Sequence, residues 1–186
     1  MIRWLLWILG GVLLGGIVHF VTVLVLPRTA TQDAYARLSA IAAVNTVTAL
    51  PQPTPQAAVL PFMDPAFAAA VCRYDLSAGP LKLSLAVSQG YTAVSFYTPR
   101  GVAFYAINDR AAGRRVIELD LMTSEQHSAL PEDEEITAAD RLIVESPTET
   151  GLIMLRALAT EPSLMPAVQS TVAAGKCSEL PQKQPS

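Results

Sequence analysis

Soft metal ligands are scarce in this chain. It has two cysteines, Cys72 and Cys177, and two histidines, His19 and His127. So few, with His19 inside an apolar stretch, argue against a zinc site, and no Cys-x-x-Cys marks a redox pair. Charge is also sparse: Asp, Glu, Lys and Arg make up 16% of the residues and the net charge is −3. Without clustered Lys and Arg, nothing favours a nucleic-acid backbone. There is no G-x-S-x-G elbow, phosphate loop or H-E-x-x-H. The acidic run 131–135 lacks the spaced oxygen ligands and turn glycine of a calcium loop and reads as a solvated loop. No catalytic residue, metal or cofactor is assigned on these grounds, and a non-enzymatic role is favoured. His127 sits in a polar stretch with no partner suggested by spacing, as a surface histidine does.

What the chain does have is apolar length. From Trp4 to Leu26 no residue is charged. At about 1.5 Å per residue the stretch reaches roughly 34 Å, enough for a bilayer core of about 30 Å. A secretory signal carries a shorter apolar region, about 7–15 residues, and a small-x-small cleavage site. Here the nearest such sites, at Ala30 and Ala34–Ala36, lie past the end of the run. Residues 1–27 therefore read as a retained transmembrane anchor, with Trp4 and Trp7 at an interface and Pro27 as the stop. Basic residues flank the run almost evenly, with Arg3 before it and Arg28 and Arg37 after it. The cysteine pair breaks the tie, because disulfides suit an oxidising compartment. The expectation is one pass through the inner membrane, N-terminus cytoplasmic and C-terminal domain periplasmic.

Within the anchor, Gly11, Gly15, His19 and Thr22 fall within about 80° on a helical wheel. Small residues allow close approach of a second helix, and a histidine is costly facing lipid. This face is a candidate helix–helix interface, through self-association or a partner. The competing reading is a glycine-rich anchor with His19 reaching to the headgroups.

Residues 28–50 have helical spacing of Tyr35, Leu38, Ile41 and Val44 and read as a juxtamembrane helix. Four prolines make 51–61 an extended linker and domain boundary. A β-rich domain is expected over 62–180, with a disordered tail at 181–186. It opens with a short helix over 64–76, started by Asp64 and Pro65 and carrying Cys72. Six strands follow, at 81–87, 92–98, 102–107, 115–122, 141–146 and 151–158. The third reads as central and the last two as a hairpin. A capped helix at 123–130 interrupts them, and a helix over 161–177, stopped by Gly175, closes the domain. The fold class is α+β: an N-terminal transmembrane helix plus a mostly antiparallel sheet or small sandwich with flanking helices.

Cys72 and Cys177 bracket the β region and are a candidate disulfide between its flanking helices. Asn108, Asp109 and Arg110 lie on one loop after an apolar strand and form a candidate ligand or partner site. The alternative is a self-bonded turn. Arg156, inside an apolar strand, is a possible mate for Asp109.

The order of "IVHFVTVLVLP", "DAYARL", "FMDPAFAAAVCRYDLSAGP", "VSFYTPRGVAFYAINDRA" and "LIVESPTETGLIMLRAL" resembles small α-proteobacterial membrane proteins of domain of unknown function family 1254. The resemblance implies a membrane-anchored, β-rich extracytoplasmic domain without an established activity. It also implies a sister family, domain of unknown function 1214, as partner. It assigns no role to His19 or to the Asn108–Arg110 loop. The functional expectation is an interaction module of a cell-envelope complex. The alternatives are a small-ligand-binding domain, with its pocket near Tyr97, Tyr105 or Arg156, and an enzyme of unidentified type.

Overall fold

The apolar N-terminal run forms one unbroken helix. In the computed structural model, which describes residues 1–29, 33–112, 115–130 and 142–180, helix α1 runs Ile2–Thr29. Ile2–Leu26 is long and apolar enough to cross a membrane, with mean hydropathy 2.4 and none of it buried against protein. It is a candidate membrane anchor. Pro27 does not end the helix, which continues two residues further. The chain divides into two compact units, Met1–Asp33 and Ala34–Ser186.

The second unit is a β-sandwich. One sheet has five antiparallel strands in the order β1 (Val47–Ala49), β2 (Phe67–Asp75), β8 (Thr150–Leu158), β4 (Thr92–Tyr97), β5 (Ala103–Asn108). The other has four: β7 (Leu142–Ser146), β6 (Val116–Thr123), β3 (Leu81–Ala86), β9 (Lys176–Glu179). All pairs are antiparallel except β6 with β7. Between the sheets lies the main core. Ala70, Cys72 and Tyr74 of β2, Ile153 and Leu155 of β8, and Val94 and Phe96 of β4 meet Leu81, Leu83 and Leu85 of β3 and Ile117, Leu119 and Leu121 of β6. Period-two alternation on β3 and β6 delivers those leucines to one face. Helix α5 (Met165–Ala173) adds Val168 and Val172 to the same core.

Several expectations change. Residues 64–76 do not form a helix; 67–75 are strand β2, flanked by β1 and β8. Phe67, Val71 and Tyr74 have helical spacing by coincidence. A strand buried on both faces loses its polar alternation, and the sheet overrides alanine's helix preference. Asp64 caps only a turn, its Oδ1 accepting from the Ala66 N–H at 2.9 Å. The helix expected over 28–50 is confined on this side to α2, Ala34–Ser39. Asn45 then turns the chain in a left-handed conformation (φ 51°), and residues 47–49 pair with β2. Asparagine tolerates that region, and here its amide is fixed on both sides. Its Oδ1 accepts from the Asp75 N–H at 2.9 Å, and its Nδ2 donates to the Asp75 carbonyl at 3.1 Å.

The boundary at 51–61 also moves, because the compact unit starts at Ala34. Residues 34–63 form a strap over the outer face of the five-stranded sheet. There Leu38, Ala42 and Leu50 bury Val71 and Leu152 in a second core. Arg73 Nη1 fastens the strap by donating to the Ser39 carbonyl at 3.3 Å. Strand β5 is an edge strand, not a central one. Strands β7 and β8 are no hairpin: they belong to different sheets. The acidic run 131–135 and the tail 181–186 lie outside the described residues.

The crossover from β7 to β8 is pinned by buried polar groups. Tyr74 faces Gly151 across the β2–β8 ladder. A Cβ at Gly151 would run into the Tyr74 hydroxyl and the Tyr97 carbonyl, so only glycine lets the phenol pass. That hydroxyl shares hydrogen bonds with Ser146 Oγ at 3.0 Å and Thr148 Oγ1 at 3.3 Å. Burial pushes the Tyr74 pKa above its ordinary 10.0, and the bonds to Ser146 and Thr148 oppose the rise. The neutral phenol is thus the native form. The unfolded chain ionises first, so this contribution is intact below about pH 10 and is lost as pH rises through the folded-state value. Urea unfolding across pH should show stability falling above about pH 10. Tyr74→Phe should lower neutral-pH stability by about 1–2 kcal/mol and flatten that alkaline slope. An unchanged slope would exclude the assignment.

Cys72 on β2 and Cys177 on β9 are joined by a disulfide, with Cα atoms 6.5 Å apart. It therefore staples two strands of opposite sheets, not two helices. It suggests an oxidising compartment. The bridge closes a separation of 105 residues, for which chain entropy gives about 4–5 kcal/mol. Thiol-trapped extracts should carry the chain oxidised, and Cys72→Ser/Cys177→Ser should lose about 2–5 kcal/mol. Free thiols in cells would contradict both the bridge and the compartment.

Candidate functional site

The loop expected to carry a ligand site is mostly self-bonded. Residues 109–112 make a single helical turn, α3. Asn108 Oδ1 accepts from the Ala111 N–H at 2.9 Å, which is a capping role. Asp109 Oδ1 accepts from the Thr92 N–H at 3.4 Å. Arg110 is exposed. None of the three lines a cavity described below, and no ion pair joins Asp109 to Arg156 among the described residues.

Two concavities flank the region instead, and they divide the expected trio of Tyr97, Tyr105 and Arg156. Tyr105 lines a hollow of about 350 Å³ beside α3, with the Lys82–Glu118 pair (4.0 Å) and the buried Asp120 in its wall. Tyr97 and Arg156 line a larger groove of about 500 Å³ on the outer face of the five-stranded sheet. Its floor is Ala69, Leu152 and Met154; its walls are α2, through Tyr35 and Leu38, and the strap at Leu60–Asp64. The space has a simple origin. Outward-facing positions on β2 and β8 alternate between bulky residues and Ala69, and Ala69 stands directly opposite Arg156. The small side chain leaves room that the strap does not fill.

The polar groups in this groove are few. The guanidinium of Arg156 and the hydroxyls of Tyr35 and Tyr97 form no hydrogen bond or ion pair among the described residues. Asp64 is the one carboxylate in the lining, and its Oδ1 is occupied by the Ala66 N–H. At the rim Phe62 is 103% exposed and has φ 59°. A bulky residue held in the left-handed region is strained, and such strain clusters at ligand clamps. A mostly apolar cleft with few polar groups in its lining resembles a small-molecule site.

The sequence reading missed this groove because part of its wall lies in segments read as a juxtamembrane helix (Ala34, Tyr35, Leu38) and a linker (Leu60, Pro61). The available signal was the run Leu60-Pro61-Phe62-Met63, too apolar for a solvated connector. The reading also missed a partner for His127, whose Nδ1 lies 2.6 Å from Glu145 Oε1. Both side chains are substantially exposed, and the pair ties α4 (Ser124–Ser128) to β7. The capping box from Thr123 to Gln126 that starts α4 is present as read.

On α1, the uninterrupted helix puts Gly11, Gly15, His19 and Thr22 on one side. A Cβ at either glycine would meet open space. The Thr22 hydroxyl is spent within the helix, donating to the Val18 carbonyl at 2.8 Å.

Among solved structures, the chain is similar to the VPA0106 protein from Vibrio parahaemolyticus, with TM-score 0.59 and 13% identity over 79% of this chain and 34% of that one. That likeness concerns the fold alone. An uncharacterised protein from Burkholderia cenocepacia aligns over 64% of this chain and 33% of its own, with TM-score 0.44 and 15% identity. This chain thus spans about a third of the length of both. No curated protein matches. A protein family of unknown function, DUF1254, matches residues 41–178, which include the sandwich and all of the groove except its α2 wall. The chain belongs to the DUF1254 family.

Proposed function

We propose that this chain is a membrane-anchored binding domain of the cell envelope, with the N-terminus cytoplasmic and the sandwich in the oxidising periplasm. It holds an apolar small molecule in the groove between the strap and the five-stranded sheet. The groove itself carries the reading: about 500 Å³ of mostly apolar space beside three polar side chains without mates among the described residues. Arg156 is exposed and Tyr35 and Tyr97 are half-buried, so water satisfies them in the free protein and a ligand with acceptor groups takes its place. The full chain, extracted from membranes and examined by native mass spectrometry, should retain discrete small-molecule adducts. Ala69→Trp, which fills the floor opposite Arg156, should abolish them while the melting temperature holds. Identical adducts in both proteins would sink the proposal.

A second reading treats the chain as an interaction module that pairs through α1 with itself or with a protein of the 1214 family. The clustering of Gly11, Gly15 and His19 on one side of α1 favours it. Gly15→Leu and His19→Leu should weaken helix association several-fold in a membrane two-helix assay. Unchanged association would remove this reading.

A further inference from the structure

Three features of the groove specify its occupant beyond "apolar". The first is its floor. It is the face of a sheet, not an edge, and the backbone groups of β2, β8 and β4 are consumed in their ladders. A peptide strand would find no main-chain partners there, whereas a hydrocarbon chain needs none. The second is charge. Arg156 is the only cation in the lining, is open to solvent and forms no ion pair among the described residues; Tyr97 lines the groove farther along, opposite Leu152. A solvent-accessible guanidinium at an apolar groove suits a carboxylate, which accepts its N–H groups on both oxygens. The third is the rim. Phe62 is fully exposed, and Val102, next to the lining residue Gly101, is 61% exposed. Large apolar side chains held in water at the mouth of an apolar groove mark a transfer route from an apolar phase. A bilayer crossed by the candidate anchor is such a phase.

We infer that the groove binds a single-chain amphiphile with an anionic head, a long-chain carboxylate drawn from the bilayer: its tail lies over Ala69 and Met154 beneath Leu60–Met63, and its carboxylate is held by Arg156. This rests on the binding-domain reading and adds the chemical class.

The test uses the full chain in phosphatidylcholine nanodiscs with two photoactivatable probes, a palmitic-acid analogue and the matching fatty alcohol, and maps the labelled peptides by mass spectrometry. The acid should label Leu60–Met63 and Met154. Arg156→Met should cut that labelling about tenfold, as expected for losing a charge-assisted bond, and Arg156→Lys should restore most of it. The alcohol should label weakly and equally in all three proteins. Because Arg156 makes no bond to the rest of the described chain, its variants should melt as the parent does. Equal labelling by acid and alcohol, or labelling indifferent to Arg156→Met, would overturn the anionic head while leaving an apolar groove. Labelling confined to residues 2–26 with both probes would overturn the amphiphile and the groove reading together.

Discussion

Strands β2 and β8 pair over nine residues, from Phe67 opposite Leu158 to Asp75 opposite Thr150, and both must bury two faces at once. The rest of the domain answers that constraint. One face is covered by the four-stranded sheet through Ala70, Cys72, Tyr74, Ile153 and Leu155. The other would leave Val71 and Leu152 in water if the strap at 34–63 did not close over them. Each fully buried Val or Leu contributes about 1.5–3 kcal/mol, which favours ordering a proline-rich segment that has little helix or strand preference of its own. The disulfide adds to the same arrangement by tying β2 to the far edge of the opposite sheet.

The groove is the part of this solution left incomplete. Ala69 packs against the strap cluster but stays half-buried, and with Leu152 and Met154 it forms the groove's floor. Arg156 stands across the ladder from that alanine. An apolar floor and an unpaired cation therefore arise side by side from one register. Buried polar groups elsewhere in the domain are satisfied, the Tyr74–Ser146–Thr148 cluster among them. Arg156, Tyr35 and Tyr97 differ in being open to solvent, so their polar atoms are within reach of water or a ligand.

Where the sequence was readable, a strong local pattern was present. Leu81, Leu83 and Leu85 alternate with polar residues and form a strand, and Thr123 with Gln126 forms a capping box. Misreadings cluster where local and global preferences disagree. "AFAAAVCRYD" favours a helix residue by residue, yet it supplies a central strand because its neighbours need small side chains there. The apparent hairpin at 142–158 joins two sheets, since a short turn between two apolar runs says nothing about whether they pair with each other. The predicted loop 108–110 carried the polar residues that usually mark sites, but they are used in capping α3 and bonding Thr92.

The sequence by itself determined the candidate anchor, the α+β class and the two cysteines available for pairing. Those depend on composition and short-range periodicity, which act without knowledge of distant neighbours. Only the tertiary structure decided that residues 34–63 belong to the domain, that Cys72 and Cys177 join opposite sheets, and that Tyr35, Tyr97 and Arg156 share one groove. Those residues lie up to 121 positions apart (156 − 35). Burial of both faces of β2 and β8 brings them together, and no local propensity encodes that.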